Sequence, residues 1–208
     1  GRTQGGNNNG YAQDNEITWV AWDSVDQSLV EFTAALTRLR HSHPSFRRSR
    51  FFNGRPVRRE EGQPIPDIVW LRPDGSQMQP EDWDSGFGRA VGVFLNGDGI
   101  RERDRRGQPI SDLHFILLFN AGDEPVDFSL PDNEFSPHWD VLVDTGSGQI
   151  STGVAEPGSI VPVDAKAMVV LGEHRDAVSE PDHSVAASLT VMTGAIDVSP
   201  APKPELGS

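Results

Sequence analysis

From Phe46 onward the chain is a succession of short runs of β-forming residues, each closed off by residues that make turns. The runs are Arg50–Asn53, Ile68–Arg72, Ala90–Leu95, Leu113–Asn120, Val126–Leu130, Trp139–Asp144, Ser159–Val163 and Ala167–Gly172. Between them stand Asn53-Gly54, Pro73-Asp74-Gly75, Asn96-Gly97, Gly122-Asp123, Pro131-Asp132 and Gly146-Ser147-Gly148. Glycine supplies positive φ, proline pre-sets φ, and Asn or Asp bonds nearby backbone, so such words reverse a chain. Short strands with this punctuation predict an antiparallel β-sandwich or barrel. Alternation is partial. Val126, Phe128 and Leu130 point one way, Asp127 and Ser129 the other, whereas Phe115–Phe119 is continuously apolar and predicts a central strand. Pro80-Glu81-Asp82-Trp83 reads as a single helical turn within a long connection.

Before Phe46 the periodicity is helical. Leu29, Phe32, Leu36 and Leu39 recur at spacings of three and four and share one face. Ser24 three residues before Gln27 resembles a capping box, and Pro44 disfavours helical geometry at His43. The helix is placed at Asp26–Ser42.

The 208 residues include 31 acidic and 18 basic side chains, for a net charge of −13. That balance argues against a general phosphate-backbone binder and so against nucleic acid as partner. No apolar run approaches the roughly 20 residues of a membrane helix, and the first ten residues lack the apolar core of a signal peptide. The absence of cysteine excludes a disulfide framework and thiolate metal sites, and fits a cytoplasmic protein. Glu173–Ser208 holds no aromatic residue and is dominated by Ala, Ser, Pro, Asp and Val. It is read as a disordered tail, because it buries too little apolar surface to offset its ordering entropy.

The front end does not fit a simple terminal arm. Residues 1–23 are rich in Asn and Gly yet carry Tyr11, Trp19 and Trp22. The words Gly1-Arg2-Thr3-Gln4-Gly5-Gly6-Asn7-Asn8-Asn9-Gly10-Tyr11 through Trp22 resemble the segment that closes the catalytic barrel of glycogen debranching enzymes. These are the GlgX/TreX and isoamylase-like members of the α-amylase superfamily, glycoside hydrolase family 13. Leu29-Val30-Glu31-Phe32-Thr33 through His43-Pro44-Ser45-Phe46 is similar to that family's last barrel helix. Arg47-Arg48-Ser49-Arg50-Phe51-Phe52-Asn53-Gly54 resembles its exit into the C-terminal domain. Asp67-Ile68-Val69-Trp70-Leu71-Arg72-Pro73-Asp74-Gly75, Glu81-Asp82-Trp83, Gly92–Gly97 and Leu117–Ala121 also look like that family. The likeness covers about residues 1–172, in the family's order. One departure is Ala12, where the family commonly carries Cys.

The resemblance implies a mainly β chain in three parts. Residues 1–46 would be the end of a catalytic (β/α)8 barrel, its eighth loop and final helix. Residues 47–172 would be a C-terminal antiparallel β-sandwich, and residues 173–208 a tail. It also implies that the catalytic carboxylates lie on earlier barrel strands, so this chain holds no catalytic residue and by itself is inactive. Glycoside hydrolysis needs two carboxylates across the scissile bond, and one βα unit cannot close a barrel. The implied parent hydrolyses α-1,6-glucosidic branch linkages in glycogen or limit dextrin by a retaining mechanism, with no metal or organic cofactor. The implied partners are α-glucan and the missing N-terminal catalytic barrel. Without that barrel, Leu29, Phe32, Leu36 and Leu39 must dock on the sandwich or stay exposed. Each large side chain is worth roughly 1.5–3 kcal/mol on burial. The isolated chain is therefore expected to aggregate or to keep a mobile N-terminal third.

Within that frame the candidate substrate-binding residues are Asn7, Asn8, Asn9, Tyr11, Gln13, Asp14 and Asn15. Active sites of such barrels are built from loops that follow strands. Amides and carboxylates hydrogen-bond sugar hydroxyls, and Tyr11, Trp19 or Trp22 offers a ring for a glucose unit to stack on. The alternative for the same residues is a loop whose polar groups bond its own backbone. The alternative for the whole chain is a non-catalytic α-glucan-binding or interaction module, with Trp70, Trp83 and Trp139 as platforms. A nonfunctional gene remnant is a third possibility.

Other clusters carry less. Arg47, Arg48, Arg50, Arg55, Arg58 and Arg59 form the basic cluster, read as a solvated connection pairing with the acidic surface. His41 and His43 do not share a helix face, and no ligand spacing for a metal exists; they are read as helix-terminal residues satisfying carbonyls. Asp98–Arg106 mixes charges around glycines and reads as an exposed hairpin loop rather than a calcium loop.

Overall fold

The apolar run Phe115–Phe119 belongs to a strand that is covered on both faces. The computed structural model describes residues 4–7, 10–11, 14–58, 63–84 and 88–175. The chain divides into two units, Gly1–His174 and Arg175–Ser208. The segment read as a disordered tail lies outside the described residues from 176 onward.

The described elements are helix α1 (Gln27–Ser42) and strands β1 (Pro56–Val57), β2 (Ile65–Pro66), β3 (Ile68–Leu71), β4 (Ala90–Leu95), β5 (Phe115–Asn120), β6 (Val126–Ser129), β7 (Trp139–Asp144), β8 (Gln149–Ala155), β9 (Ile160–Val163) and β10 (Ala167–Glu173). Six of the strands form one sheet in the order β3-β4-β5-β10-β7-β8. All its pairings are antiparallel, and β5 takes an interior position, with Leu95 opposite Phe115 on one side and Gly172 opposite Phe115 on the other. β6 and β9 form their own two-stranded sheet, Val126 opposite Val163 and Ser129 opposite Ile160. β1 pairs with β2.

Period-two alternation splits the large sheet into two apolar faces. Val69, Leu71, Phe94, Ile116, Leu118, Val169 and Leu171 meet Phe128, Leu130, Val161 and Val163 of the small sheet in the main core. That packing is the sandwich, with unequal halves. Val93, Leu95, Phe115, Val143 and Val170 form the opposite core, and Phe32, Leu36 and Leu39 of α1 pack against it with Phe46 and Phe52. The helix thus docks on the sheet, which is why a strand with no alternation is stable there.

Helix α1 begins one step later than the capping-box reading placed it. Asp26 is the cap: its carboxylate accepts from the Leu29 amide at 3.2 Å and from the Ser28 hydroxyl at 2.6 Å. Ser24 instead ends a 3-10 turn, Trp22–Ser24, and its hydroxyl donates to Ala21 O. An acceptor on Asp26 lies nearer the free amides of the first turn and wins that position. The helix ends where expected, with His43 extended before Pro44. Two expectations shift. Arg50–Asn53 is not a strand, and Gln149–Ala155 is one although its small polar residues gave no strand pattern. Glu173 closes β10 opposite Trp139, and His174 N donates to His138 O at 3.0 Å, so order continues past Gly172.

Buried asparagines at the ends of β4 and β5 hold the corners. Asn120 Nδ2 donates to the carbonyls of Glu124, Val163 and Asp164, and its Oδ1 accepts from Gly122 N at 2.8 Å. Asn96 donates to the Ile65 carbonyl at 3.2 Å and accepts from Asp98 N. Each satisfies backbone groups that a sharp reversal takes out of the ladder.

Candidate functional site

The loop before α1 is folded on its own backbone. A short 3-10 turn at Gln4–Gly6 is closed by Asn7 N donating to Gln4 O at 3.1 Å. Asn15 makes a second turn: its Oδ1 accepts from Ile17 N at 3.1 Å, and its carbonyl accepts from the amides of Thr18 and Trp19 at 3.0 Å. The Trp19 indole donates to Asp14 Oδ1 at 2.7 Å. The Tyr11 ring is 98% exposed. Asn8, Asn9 and Gln13 lie outside the described residues.

A cleft of about 770 Å³ opens beside this loop, lined by Gln4, Glu16, Ile17, Trp19, Val25 and Asp26 among others. Asn7, Tyr11, Asp14 and Asn15 flank that cleft in sequence but are not part of its described lining. Asp14 still bears on it, because its carboxylate fixes the Trp19 ring that lines it.

A second concavity lies on the sandwich. Alternation in β3 sends Val69 and Leu71 into the core and turns Trp70 outward, 39% exposed. The turn predicted from Pro73-Asp74-Gly75 is present: Gly75 N donates to Arg72 O at 3.0 Å, and the returning chain is fastened by Met78 N to Trp70 O at 2.8 Å. Hydrogen bonds from the side chain and amide of Ser76 hold the Asp74 carboxyl below its ordinary pKa. The chain then enters the 3-10 turn Pro80–Asp84, which carries Trp83. Asp82 anchors that turn, accepting from Gln79 N at 2.6 Å and Arg72 Nε at 2.8 Å. Those two bonds keep the Asp82 carboxyl low, and the bond to Asp82 raises the Arg72 guanidinium. Trp83, 56% exposed, stands perpendicular to Trp70 with ring centroids 5.2 Å apart. Asn53 and Gln77 join both rings in lining a cleft of about 480 Å³. Gln77 sits on the turn between the two tryptophans, whereas no spacing in the sequence joins Asn53 to them, because it comes from a separate segment.

Trp139 is removed from the platform candidates. It is fully buried in the main core, edge-on to Phe94 at 6.5 Å. The basic cluster is also not uniformly solvated. Arg48 is buried, pairs with the fully buried Asp67 at 3.5 Å and lies 3.9 Å over the Phe52 ring. Asp67 accepts in addition from Gly54 N at 2.8 Å and from Asn53 N. Arg59 lies outside the described residues. His43 does not cap a carbonyl but bonds Asp112 at 2.7 Å.

Residues 67–177 match the family described as isoamylase, C-terminal. The chain belongs to the isoamylase C-terminal family. It is 43% identical over 175 residues to a glycogen operon protein GlgX homolog of Mycobacterium bovis, covering 82% of this chain and 24% of that protein. It is 36% identical over 135 residues to the glycogen debranching enzyme of Cronobacter sakazakii, covering 65% of this chain and 16% of that one. Among solved structures, the pullulanase from Bacillus acidopullulyticus superposes with a TM-score of 0.50 at 17% identity, over 83% of this chain and 17% of that chain. That likeness supports the fold. The chain spans about a quarter or less of the curated relatives it matches. As an isoamylase C-terminal family member it is mainly β, with antiparallel sheets and one described helix. No helix among the described residues is long and apolar enough to cross a membrane.

Proposed function

We propose that the chain works as the C-terminal part of a glycogen debranching enzyme that hydrolyses α-1,6-glucosidic branch linkages in glycogen or limit dextrin in the cytoplasm. The observation that carries this reading is the 43% identity to a GlgX homolog, sustained over 82% of the chain and not confined to the sandwich family match. On this reading residues 1–46 close the catalytic barrel, residues 47–172 are the sandwich that supports it, and residues 173–208 form a tail. The barrel supplies the catalytic carboxylates.

Six carboxyls among the described residues suit structural roles on that division. A glycosidase general acid needs a carboxyl whose pKa is raised, so that it still holds its proton near neutrality. Asp26, Asp74, Asp82, Glu102, Asp112 and Asp123 are all shifted the other way, held ionised by hydrogen bonds or cations. They suit structural ion pairs and turn anchors. The sugar contact falls to Asn7, Asn8, Asn9, Tyr11, Gln13, Asp14 and Asn15, a stretch whose amides, carboxylate and phenol ring match the hydroxyls and ring faces of glucose.

The test is reducing-sugar release from glycogen and from β-limit dextrin. The chain alone is expected to be silent, and the chain mixed with a separately expressed upstream barrel is expected to be active. Activity from the chain alone would show that it holds its own catalytic carboxylates. A complete enzyme that releases nothing from either substrate would end the debranching reading.

A further inference from the structure

The Trp70–Trp83 cleft has no part in the catalytic reading above; its two rings entered only as platforms in the alternative of a non-catalytic module. We propose that it is a second, non-catalytic binding site for an α-linked glucan chain. The inference rests on the reading that the parent enzyme acts on α-glucan, and adds to it a place on the sandwich where a remote stretch of the same polymer is held.

Three features of the cleft point to a neutral sugar. The first is charge. The protein carries −13 overall, yet none of the described residues lining this cleft is charged. A peptide or nucleotide bearing charge would find no charged side chain in that lining, whereas a glucan needs none. The second is chemistry. Two large aromatic faces stand beside the amides of Asn53 and Gln77, the combination that suits a ring with an apolar face and a hydroxyl rim. The Asn53 Oδ1 accepts from Arg55 N at 3.1 Å and Arg101 Nη2 at 3.3 Å, so what its side chain can offer a hydroxyl is the donor Nδ2. At about 480 Å³ the cleft is within the usual range for a small-ligand site.

The third feature is shape. The rings meet at 85°, so they make a corner instead of a flat bench. A flat platform suits the straight ribbon of a β-1,4-linked chain. A corner suits the curved, helical run of an α-1,4-linked chain, with successive glucose units meeting differently inclined faces. The corner is built rigidly. Trp70 stands on a strand of the large sheet, paired to Val93, and Trp83 sits on a turn pinned by Asp82 through Arg72 and Gln79. Pre-positioned rings lose little freedom on binding.

The experiment is affinity electrophoresis of the full chain in native gels containing glycogen, with maltoheptaose and cellohexaose as soluble competitors. Glycogen is expected to retard the chain, maltoheptaose to relieve the retardation, and cellohexaose to leave it. Trp83→Ala is expected to weaken retention at least about fivefold, equivalent to about 1 kcal/mol. Trp83→Phe, which keeps a ring, is expected to restore part of it. Far-UV circular dichroism and melting establish that the variants fold. Retention unchanged in Trp83→Ala, or relief by cellohexaose equal to that by maltoheptaose, overturns the proposal. Debranching by the wild-type complete enzyme is measured separately. Its loss would sink the parent function, whereas normal debranching with no Trp83-dependent retention would sink only the second site.

Discussion

His43 Nδ1 lies 2.7 Å from Asp112 Oδ1, while the other oxygen of the same carboxylate accepts the Ser45 amide at 2.9 Å. One buried side chain therefore fastens the end of α1, and the turn after it, to the connection leading into β5. A carboxylate only accepts, so Nδ1 carries the proton. The His43 ring also stands edge-on to Phe115 at 4.8 Å, which places the bond at the rim of the helix-covered core.

Burial pushes the Asp112 carboxyl up, but the His43 hydrogen bond, the Ser45 amide and the charge on His43 outweigh it and leave its pKa below the ordinary value. A carboxyl depressed in the folded state contributes stability that is present above its unfolded pKa, about 3.9, and is lost as pH falls through the folded value. The melting temperature is expected to fall below about pH 4, and Asp112→Asn is expected to flatten that acid limb. At neutral pH the same substitution removes charge-assisted bonds and is expected to cost about 1.5–3 kcal/mol. A melting series from pH 3 to pH 7 on both proteins checks it; an acid limb of equal slope in the variant would assign the effect elsewhere.

Asp67 is the anchor of the segment between α1 and the sheet. Its fully buried carboxylate serves Gly54 N, Asn53 N and the buried Arg48 guanidinium at once. Asp67→Ala leaves those donors and a buried cation without their acceptor. Breaking a buried pair from one side costs about 3–5 kcal/mol. Asp67→Asn, which retains one acceptor oxygen, is expected to lose less. Urea unfolding of the three proteins should give midpoints in the order wild type, Asn, Ala.

Gly97 sits where a β-carbon would fall inside contact distance of the carbonyl oxygens of Asp112 and Leu113. These are backbone atoms next to β5, so they cannot swing aside as a side-chain tip does. Gly97→Ala is expected to destabilise by about 1–3 kcal/mol through overpacking. Gly107→Ala, with open space around its β-carbon, tests backbone strain alone, since its φ is +78°. A larger loss at Gly97 than at Gly107, measured by thermal unfolding, separates crowding from strain.

Patterns that one face of one element imposes were legible in the sequence. Ala90–Leu95 and Trp139–Asp144 have the limits their residues predicted, and Phe115–Phe119 announced burial on both faces. Features set by a distant partner were not. Arg48 reads like its exposed neighbours, and only Asp67 and Phe52 make it a core residue. Trp139 has the composition of a platform, yet it lies inside because β7 turns it toward Phe94. β8 hid because its backbone pairing with β7 supplies the order that a residue such as Gly153, which has no side chain, does not announce. The candidate loop was half legible. Its Asn and Gly residues announced turns, whereas the Asp14–Trp19 bond depends on a side-chain direction that spacing does not give.

The helix offers the sharpest test of how the chain behaves alone. Leu29, Phe32, Leu36 and Leu39 share a stripe, and had they lacked a partner α1 would be unprotected. Three of them, Phe32, Leu36 and Leu39, pack against the outer core formed by Val93, Leu95, Phe115, Val143 and Val170, while Leu29 is 45% exposed. The contact strengthens toward the C-terminal half, where the His43–Asp112 bond adds a polar clasp. Hydrogen exchange of the isolated chain is therefore expected to show graded protection, weak near residues 27–30 and stronger over 36–42. Phe32→Ala removes a half-buried ring and is expected to cost about 1–2 kcal/mol, below the roughly 3–5 kcal/mol of a fully buried one, and to lower protection along the whole helix. Uniform loss of protection across 27–42 in the wild type would mean that α1 leaves the sheet in solution, and that the aggregation expected of an unpaired barrel helix governs the chain instead.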